Sequence, residues 1–396
     1  MVSGAMVLGL ASCSLDYTVG YVYMTAWNSL TSKGVVDQYT IDFDSGALSQ
    51  IGSPVAAGND PITLVASPSG KFIYVVNQGD STVWEYAVQG GGSLALQNKY
   101  STGGANPTAI AIDPQGAFLY VTNSYVEGTT SGTGVVSIFP VKSDNSLGTV
   151  SLQPVGNNPV GVTVSYFNHY VYVVERRTTT AGEILGFSQN TTTGLLTAIS
   201  GTTVSGTITK GTPGSTTVTG YAAGVAPSAI AEEQTSRFVY VTDRASNQMI
   251  GYTVSGGTVA AGGGALTSMV TGPFSTGLYP VNLTIDPTGT LIYVVNYNAS
   301  TVQGYMIDSK TGAPSGAVGA YATATGAGPT CVTIDPAVGT FLFTSDALDN
   351  TASGERLLPN TGGLNGVQNS PFSGTKQPTC LVAVGAGSHA SQTIIP

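Results

Sequence analysis

The stretch Phe118-Leu119-Tyr120-Val121-Thr122-Asn123 recurs along the chain. It returns as Phe72-Ile73-Tyr74-Val75-Val76-Asn77, as Tyr170-Val171-Tyr172-Val173-Val174-Glu175, as Phe238-Val239-Tyr240-Val241-Thr242-Asp243 and as Leu291-Ile292-Tyr293-Val294-Val295-Asn296. Worn copies stand at Tyr21-Val22-Tyr23-Met24-Thr25 and Phe341-Leu342-Phe343-Thr344-Ser345-Asp346, making seven. β-Branched and aromatic residues fill every copy, so each reads as a strand buried on both faces. An Asn, Asp or Glu closes all but the first.

A second strand precedes most copies. It starts at a proline (Pro61, Pro107, Pro159, Pro227, Pro280, Pro329 and Pro378), with a small or polar residue two positions on and an aliphatic three positions on. That alternation gives one thin and one bulky face, and proline is tolerated where the first residue need not donate to a ladder. Turns such as Ser67-Pro68-Ser69-Gly70, Asp113-Pro114-Gln115-Gly116 and Asp286-Pro287-Thr288-Gly289 join the pair. Asp or Ser accepts a local backbone bond there, Pro presets φ and Gly takes the positive φ. A third strand (Ser81 to Val88, Val135 to Phe139, Ser300 to Ile307) and a weaker fourth complete each unit.

Four antiparallel strands per unit, repeated at roughly 46 to 68 residues, define the blade of an all-β, seven-bladed β-propeller. The chain enters at a second strand, near Tyr21, and leaves with an unmatched proline-led strand, Pro378 to Val384. The last strand is therefore expected to complete the first blade, which removes an exposed edge. Residues 17–396 read as one propeller domain, and 1–16 as a separate leader and tail. The Thr/Gly-rich stretches Ser200 to Gly220 and Ser255 to Gly264 read as surface loops or extended hairpins.

Composition narrows function. Charged residues make up 8% of the 396-residue chain and the net charge is −9. No basic stripe exists to displace counterions, so nucleic acid is not an expected partner. Low charge with abundant Gly, Thr and Tyr suits exported or surface proteins. At the N-terminus, Met6 to Cys13 is a short apolar run ending Leu10-Ala11-Ser12-Cys13. It is too short to span a bilayer, and it resembles the lipobox of bacterial lipoprotein signal peptides, in which Cys13 would be lipidated. No Lys or Arg precedes it, so the usual basic segment is missing. The plainer reading is an apolar tail. The expected location is extracytoplasmic (periplasm, outer membrane or cell surface), with membrane contact only through Cys13.

The Tyr-Val-Thr-Asn core, the Asp-Pro-x-Gly turns and the seven units resemble the YVTN-repeat propellers. These overlap with the lactonase-like family that includes propeller-type 6-phosphogluconolactonase. The likeness spans about residues 17 to 390 and rests on residues that build blades, so it implies fold more than chemistry. Relatives of this kind include cytoplasmic lactonases and secreted proteins without established chemistry.

In such a fold Asn77, Asn123, Glu175, Asp243, Asn296 and Asp346 should ring one mouth. Asn and Asp there are explained by capping their own turns. Glu175 caps turns poorly, and Arg176 and Arg177 follow it; Asp243-Arg244 repeats the order one blade on. Glu175, Arg176, Arg177, Asp243, Arg244 and Asp346 are the candidate ligand-binding residues, suited by the arginine fork to a sugar-like anion or a glycan. A surface ion-pair network is the bland alternative. Two functions follow. One is a binding or scaffold module for a glycan, a sugar-like anion or a cell-surface protein. The other is a lactone hydrolase with Glu175 as base and Arg176 holding the developing oxyanion. His169 falls in a turn at the opposite mouth and His389 in the C-terminal tail, so neither joins that patch. No metal-ligand spacing, nucleophile elbow or phosphate loop is present, and no metal or cofactor is expected. Cys331 and Cys380 occupy equivalent positions in different repeats. Equivalent side chains point the same way around a ring, so two buried free thiols are expected in place of a disulfide.

Overall fold

The computed structural model describes residues 18–28, 33–177, 181–256, 262–317, 322–358 and 361–387. Cys13, His389 and part of the Ser255–Gly264 stretch lie outside them. The strands assemble into seven radial sheets. Blades 2 to 7 each run in chain order from an inner proline-led strand to an outer fourth strand, as in blade 2 with Pro61–Ala66, Phe72–Asn77, Thr82–Val88 and Leu94–Ser101. The Thr/Gly-rich insert forms a separate two-stranded ribbon, Thr203–Thr209 with Thr212–Thr219. Among the described residues no helix is long and apolar enough to cross a membrane.

Closure follows the expected clasp. Pro378–Gly385 pairs antiparallel with Thr18–Asn28, matching Tyr21 with Val384 and Thr25 with Cys380, so both ends of the chain share blade 1. The 1–2 turns adopt their expected geometry: Gly70, Gly116 and Gly289 have φ of 67°, 69° and 69°.

The blade-to-blade contacts explain the tyrosine of the repeated motif. Each is fully buried and donates its hydroxyl to a backbone carbonyl in the outer turn of the next blade. Tyr23 reaches Gly92 (2.7 Å), Tyr74 reaches Asn145 (2.7 Å), Tyr120 reaches Gly194 (2.9 Å), Tyr172 reaches Gly264 (2.8 Å), Tyr240 reaches Gly312 (2.7 Å) and Tyr293 reaches Gly362 (2.8 Å). Every acceptor residue has positive φ. At Gly194 a Cβ would also lie 2.4 Å from the Phe118 ring, so glycine is required there twice over. Around these bonds, aliphatic and aromatic side chains of adjacent blades form the core, for example Tyr120, Val136, Val162, Val173 and Phe187 between blades 3 and 4.

Blade 7 carries Phe343 at this position and has no hydroxyl to give to blade 1. That same seam carries a disulfide between Cys331 and Cys380, with Cα atoms 4.9 Å apart. The expectation of free thiols is therefore corrected. It assumed that the thin face of one inner strand meets only the bulky face of the next. Near the axis the inner strands converge so closely that a thin position reaches the neighbouring backbone. Gly161 shows the same closeness without a bond: a Cβ there would lie 3.5 Å from the backbone N of Ile230 in blade 5.

The disulfide closes a loop of sequence separation 49 across the ring's last seam. Loop-closure entropy assigns such a link about 4 kcal/mol, against about 1 kcal/mol for one tyrosine hydrogen bond. Thermal unfolding of the Cys331→Ser/Cys380→Ser variant should therefore fall well below that of Tyr172→Phe. Equal melting temperatures for the two variants would contradict this ranking of the seams.

Candidate functional site

The residues that close the repeated strands do stand at one mouth, but they face inward. Asn77, Asn123, Glu175, Asp243, Asn296 and Asp346 are all fully buried. Most of them brace loops. Asn77 accepts the Gly58 amide (2.9 Å). Asp243 accepts the amides of Val225 and Ala226 (each 2.9 Å), and Asp346 accepts the hydroxyls of Thr344 (2.9 Å) and Ser353 (2.7 Å). Burial pushes the Asp243 carboxyl up, but these amides together hold it below the ordinary value. Burial drives Asp346 to about 6 against its hydroxyl donors.

Glu175 differs from the rest. Its carboxylate lies over Gly156, where a Cβ would sit 1.6 Å from Oε2, and neither oxygen has a well-formed hydrogen bond. Glu183 is its cross-strand partner. Burial, then the Glu183 charge, push Glu175 to about 8, offset only partly by Arg177 and the Asn157 amide. Glu175 thus lies beneath the mouth and is not part of its surface.

Because strand residues alternate sides, the residue after each closing position is the one presented. These are Gln78, Ser124, Arg176, Arg244, Tyr297 and Ala347. A second ring comes from the residues preceding the prolines: Asp60, Asn106, Asn158, Ala226, Tyr279 and Gly328. One backbone bond ties the two rings within a blade, as from Arg176 N–H to Asn158 O (3.1 Å), Arg244 to Ala226 (3.1 Å) and Tyr297 to Tyr279 (2.9 Å). The proline-preceding ring was missed in the sequence, although the prolines mark it.

The combined rim has three arcs. Blades 2 to 4 offer amides and hydroxyls around a cavity of about 340 Å³ lined by Gln78, Asn106, Ser124, Asn158, Arg176 and Ser228 among others. Blades 4 and 5 offer guanidinium groups around an adjoining cavity of about 510 Å³, lined by Tyr125, Asn157, Asn158, Arg176, Arg177 and Arg244. Blade 6 offers Tyr279 and Tyr297. Arg176 joins the two cavities. Its Nε donates to Pro227 O at 2.7 Å, and burial followed by the Arg244 charge lowers it to about 10. Arg244 lies over the Tyr279 ring at 5.2 Å. Arg177 is paired with Glu183 at 2.6 Å.

Among the described residues, neither cavity lining includes a carboxylate or a histidine. No group of three or more potential metal ligands gathers among them either. His169 sits with φ of 55° in the turn between its two strands, at the other mouth. A depression of about 570 Å³ lies at that other mouth beside the clasp. It is lined largely by glycine and uncharged residues with Lys71, so the arginine-bearing cavities hold more chemistry.

The sequence profile described as "Lactonase, 7-bladed beta-propeller" matches residues 21–160 and 198–334. The chain belongs to this lactonase family of seven-bladed β-propellers. Among solved structures it is similar to a Bacteroides uniformis protein provisionally named a 6-phosphogluconolactonase (19% identity, TM-score 0.73, covering 93% of this chain and 100% of that one). It is also similar to the periplasmic gluconolactonase PpgL of Pseudomonas aeruginosa (17% identity, TM-score 0.71, covering 93% and 100%). At these identities the likeness is one of fold. No curated protein matches the chain significantly.

Six acids are raised, each first by burial: Asp37 and Asp60, and further Glu175 and Glu232 to about 8, Glu355 to about 7 and Asp346 to about 6. Between the ordinary carboxylate range and pH 8 the folded chain therefore binds more protons than the unfolded one, so stability falls as pH rises through that window. Melting temperature should be higher at pH 5 than at pH 8.5. Glu175→Gln should recover part of the loss at the higher pH, of order 1–3 kcal/mol. A melting temperature that climbs from pH 5 to 8.5 would refute this.

Proposed function

We propose that this propeller is an exported binding module whose mouth takes a sugar acid. The observation that carries the reading is the juxtaposition, around one pair of joined cavities, of an amide arc and the guanidinium groups of Arg176 and Arg244. Amides and hydroxyls match the alternating donors and acceptors of a polyol, and the arginine fork matches a carboxylate or phosphate. In a chain of net charge −9, two neighbouring cations without acidic partners in the cavity lining favour a small anion over an acidic surface. The disulfide suits an oxidising compartment, and the Leu10-Ala11-Ser12-Cys13 run supports export with a lipid anchor at Cys13.

Lactone hydrolysis at the same mouth is the second reading, favoured by membership of the lactonase family. Arg176 would hold the developing oxyanion. The buried position of Glu175 counts against its acting as the base, since a general base must come within hydrogen-bond reach of the attacking water.

Calorimetry with gluconate, 6-phosphogluconate and glucuronate, with glucose as the neutral control, separates these possibilities. At least one acid should bind where glucose does not. Arg176→Ala and Arg244→Ala should each weaken binding about 10-fold or more, and Arg177→Ala, whose guanidinium is engaged by Glu183, by less. Binding indifferent to both Arg176 and Arg244 would sink the proposal. Turnover of sugar lactones that disappears in a folded Glu175→Gln variant would replace it with the hydrolase reading.

A further inference from the structure

The position before the proline is a left-handed turn position in every blade but blade 5, where Ala226 stands, and blade 1 fills it with Gln377 at φ 55°. Asp60, Asn106, Asn158 and Gly328 fill it with φ between 51° and 64°, and these residue types adopt that conformation readily. Blade 6 places Tyr279 there at φ 60°. A bulky aromatic in this region is an outlier that persists only when its surroundings hold it. Asn247 Oδ1 accepts its amide at 2.8 Å, and its own carbonyl accepts the Tyr297 amide at 2.9 Å.

The ring held this way is half-exposed and meets Tyr297 at 6.2 Å between centroids and 58° between planes. The apolar surface continues outward. A Cβ on Gly328 would lie 2.7 Å from Leu348 Cγ and 3.1 Å from Tyr297 Cε2, so these two side chains flank one glycine. Leu348 is 62% exposed and Leu278, next to Tyr279, is 58% exposed. On its other side the shelf adjoins the cations, since Arg244 packs over Tyr279 and shares its cavity with Arg176.

We infer that this shelf is a second subsite and that the ligand is an acidic oligosaccharide rather than a single sugar acid. One uronate carboxylate sits on Arg176 and Arg244, and the apolar face of the adjoining pyranose lies on Tyr279 and Tyr297. The inference rests on the sugar-acid reading of the mouth. It adds a reason for aromatic surface at positions where no other blade but blade 1, with Trp27, carries an aromatic residue. Contiguity of the shelf with a paired cation selects an anionic glycan over an apolar peptide, which would leave the guanidinium groups unmatched.

The test is calorimetric titration of the full chain with galacturonate, with tri-galacturonate and with neutral cellotriose. The trimer is expected to bind about tenfold tighter than the monomer, the scale of one aromatic contact, and cellotriose far more weakly. Tyr279→Asn installs the residue that blades 3 and 4 use at this backbone position. It should melt no lower than the parent and remove most of the trimer's advantage, read as the ratio of trimer to monomer affinity within the variant. Monomer binding with no gain for the trimer, or a gain that survives in Tyr279→Asn, overturns the shelf alone. Failure of both acidic sugars to bind overturns the shelf and the sugar-acid mouth together.

Discussion

A buried phenol hydroxyl donated to the carbonyl of a left-handed residue in the next blade is the contact on which this ring depends. Aliphatic packing between sheets is strong but non-directional, and by itself would let neighbouring blades slide. The tyrosine bonds, from Tyr23 to Gly92 around to Tyr293 to Gly362, set the height and tilt of each blade against the next. Leaving such a carbonyl unsatisfied in the interior would carry a penalty, so each bond makes correct stacking cheaper than any displaced arrangement. The seam without it, at Phe343, is secured by other means: the shared sheet of the two chain ends and the Cys331–Cys380 bond. A ring must hold at every seam at once, and the seam without this repeated bond carries a disulfide beside the bond from Tyr39 Oη to Ser373 O (2.8 Å).

The same stacking builds the mouth. Each blade contributes one residue past its second strand and one before its proline, joined in most blades by a backbone hydrogen bond. The scaffold holds these pairs in equivalent places, so chemical asymmetry arises only from which side chains occupy them. With charged residues at 8% of the chain, the gathering of Arg176, Arg177 and Arg244 on two adjacent blades is a local departure from a sparsely charged surface. Amides lie to one side and tyrosines to the other. The acids that precede these arginines are withdrawn into the blades, so the surface is more cationic than the paired sequence Glu175-Arg176 and Asp243-Arg244 suggests.

That withdrawal shows where sequence reading reached its limit. The closing Asn, Asp and Glu were expected to ring the mouth, and they stand at that end. Their side chains turn inward because the last strand residue still obeys the twofold alternation of the blade, and the loop amides of Gly58, Val225 and Ala226 need acceptors. The aromatic arc left no local signal, since Tyr279 and Tyr297 lie in a chain with 20 tyrosines. Only alignment on the prolines would have marked Tyr279 as the occupant of a turn position suited to Asn or Gly.

Seven repeats, the order of strands within each blade, the turn geometry at Gly70, Gly116 and Gly289, and the completion of the first blade by the last strand were all determined by the sequence alone. Each follows from local rules, namely side-chain alternation, positive φ at glycine and the pairing of unmatched edges. Tertiary structure alone decided that Cys331 meets Cys380, that Glu175 is sealed beneath the rim, and that guanidinium groups from two blades adjoin the tyrosines of a third. Those outcomes depend on distances between blades. Such distances are set by closing seven twisted sheets about one axis, a condition that no single stretch of chain encodes.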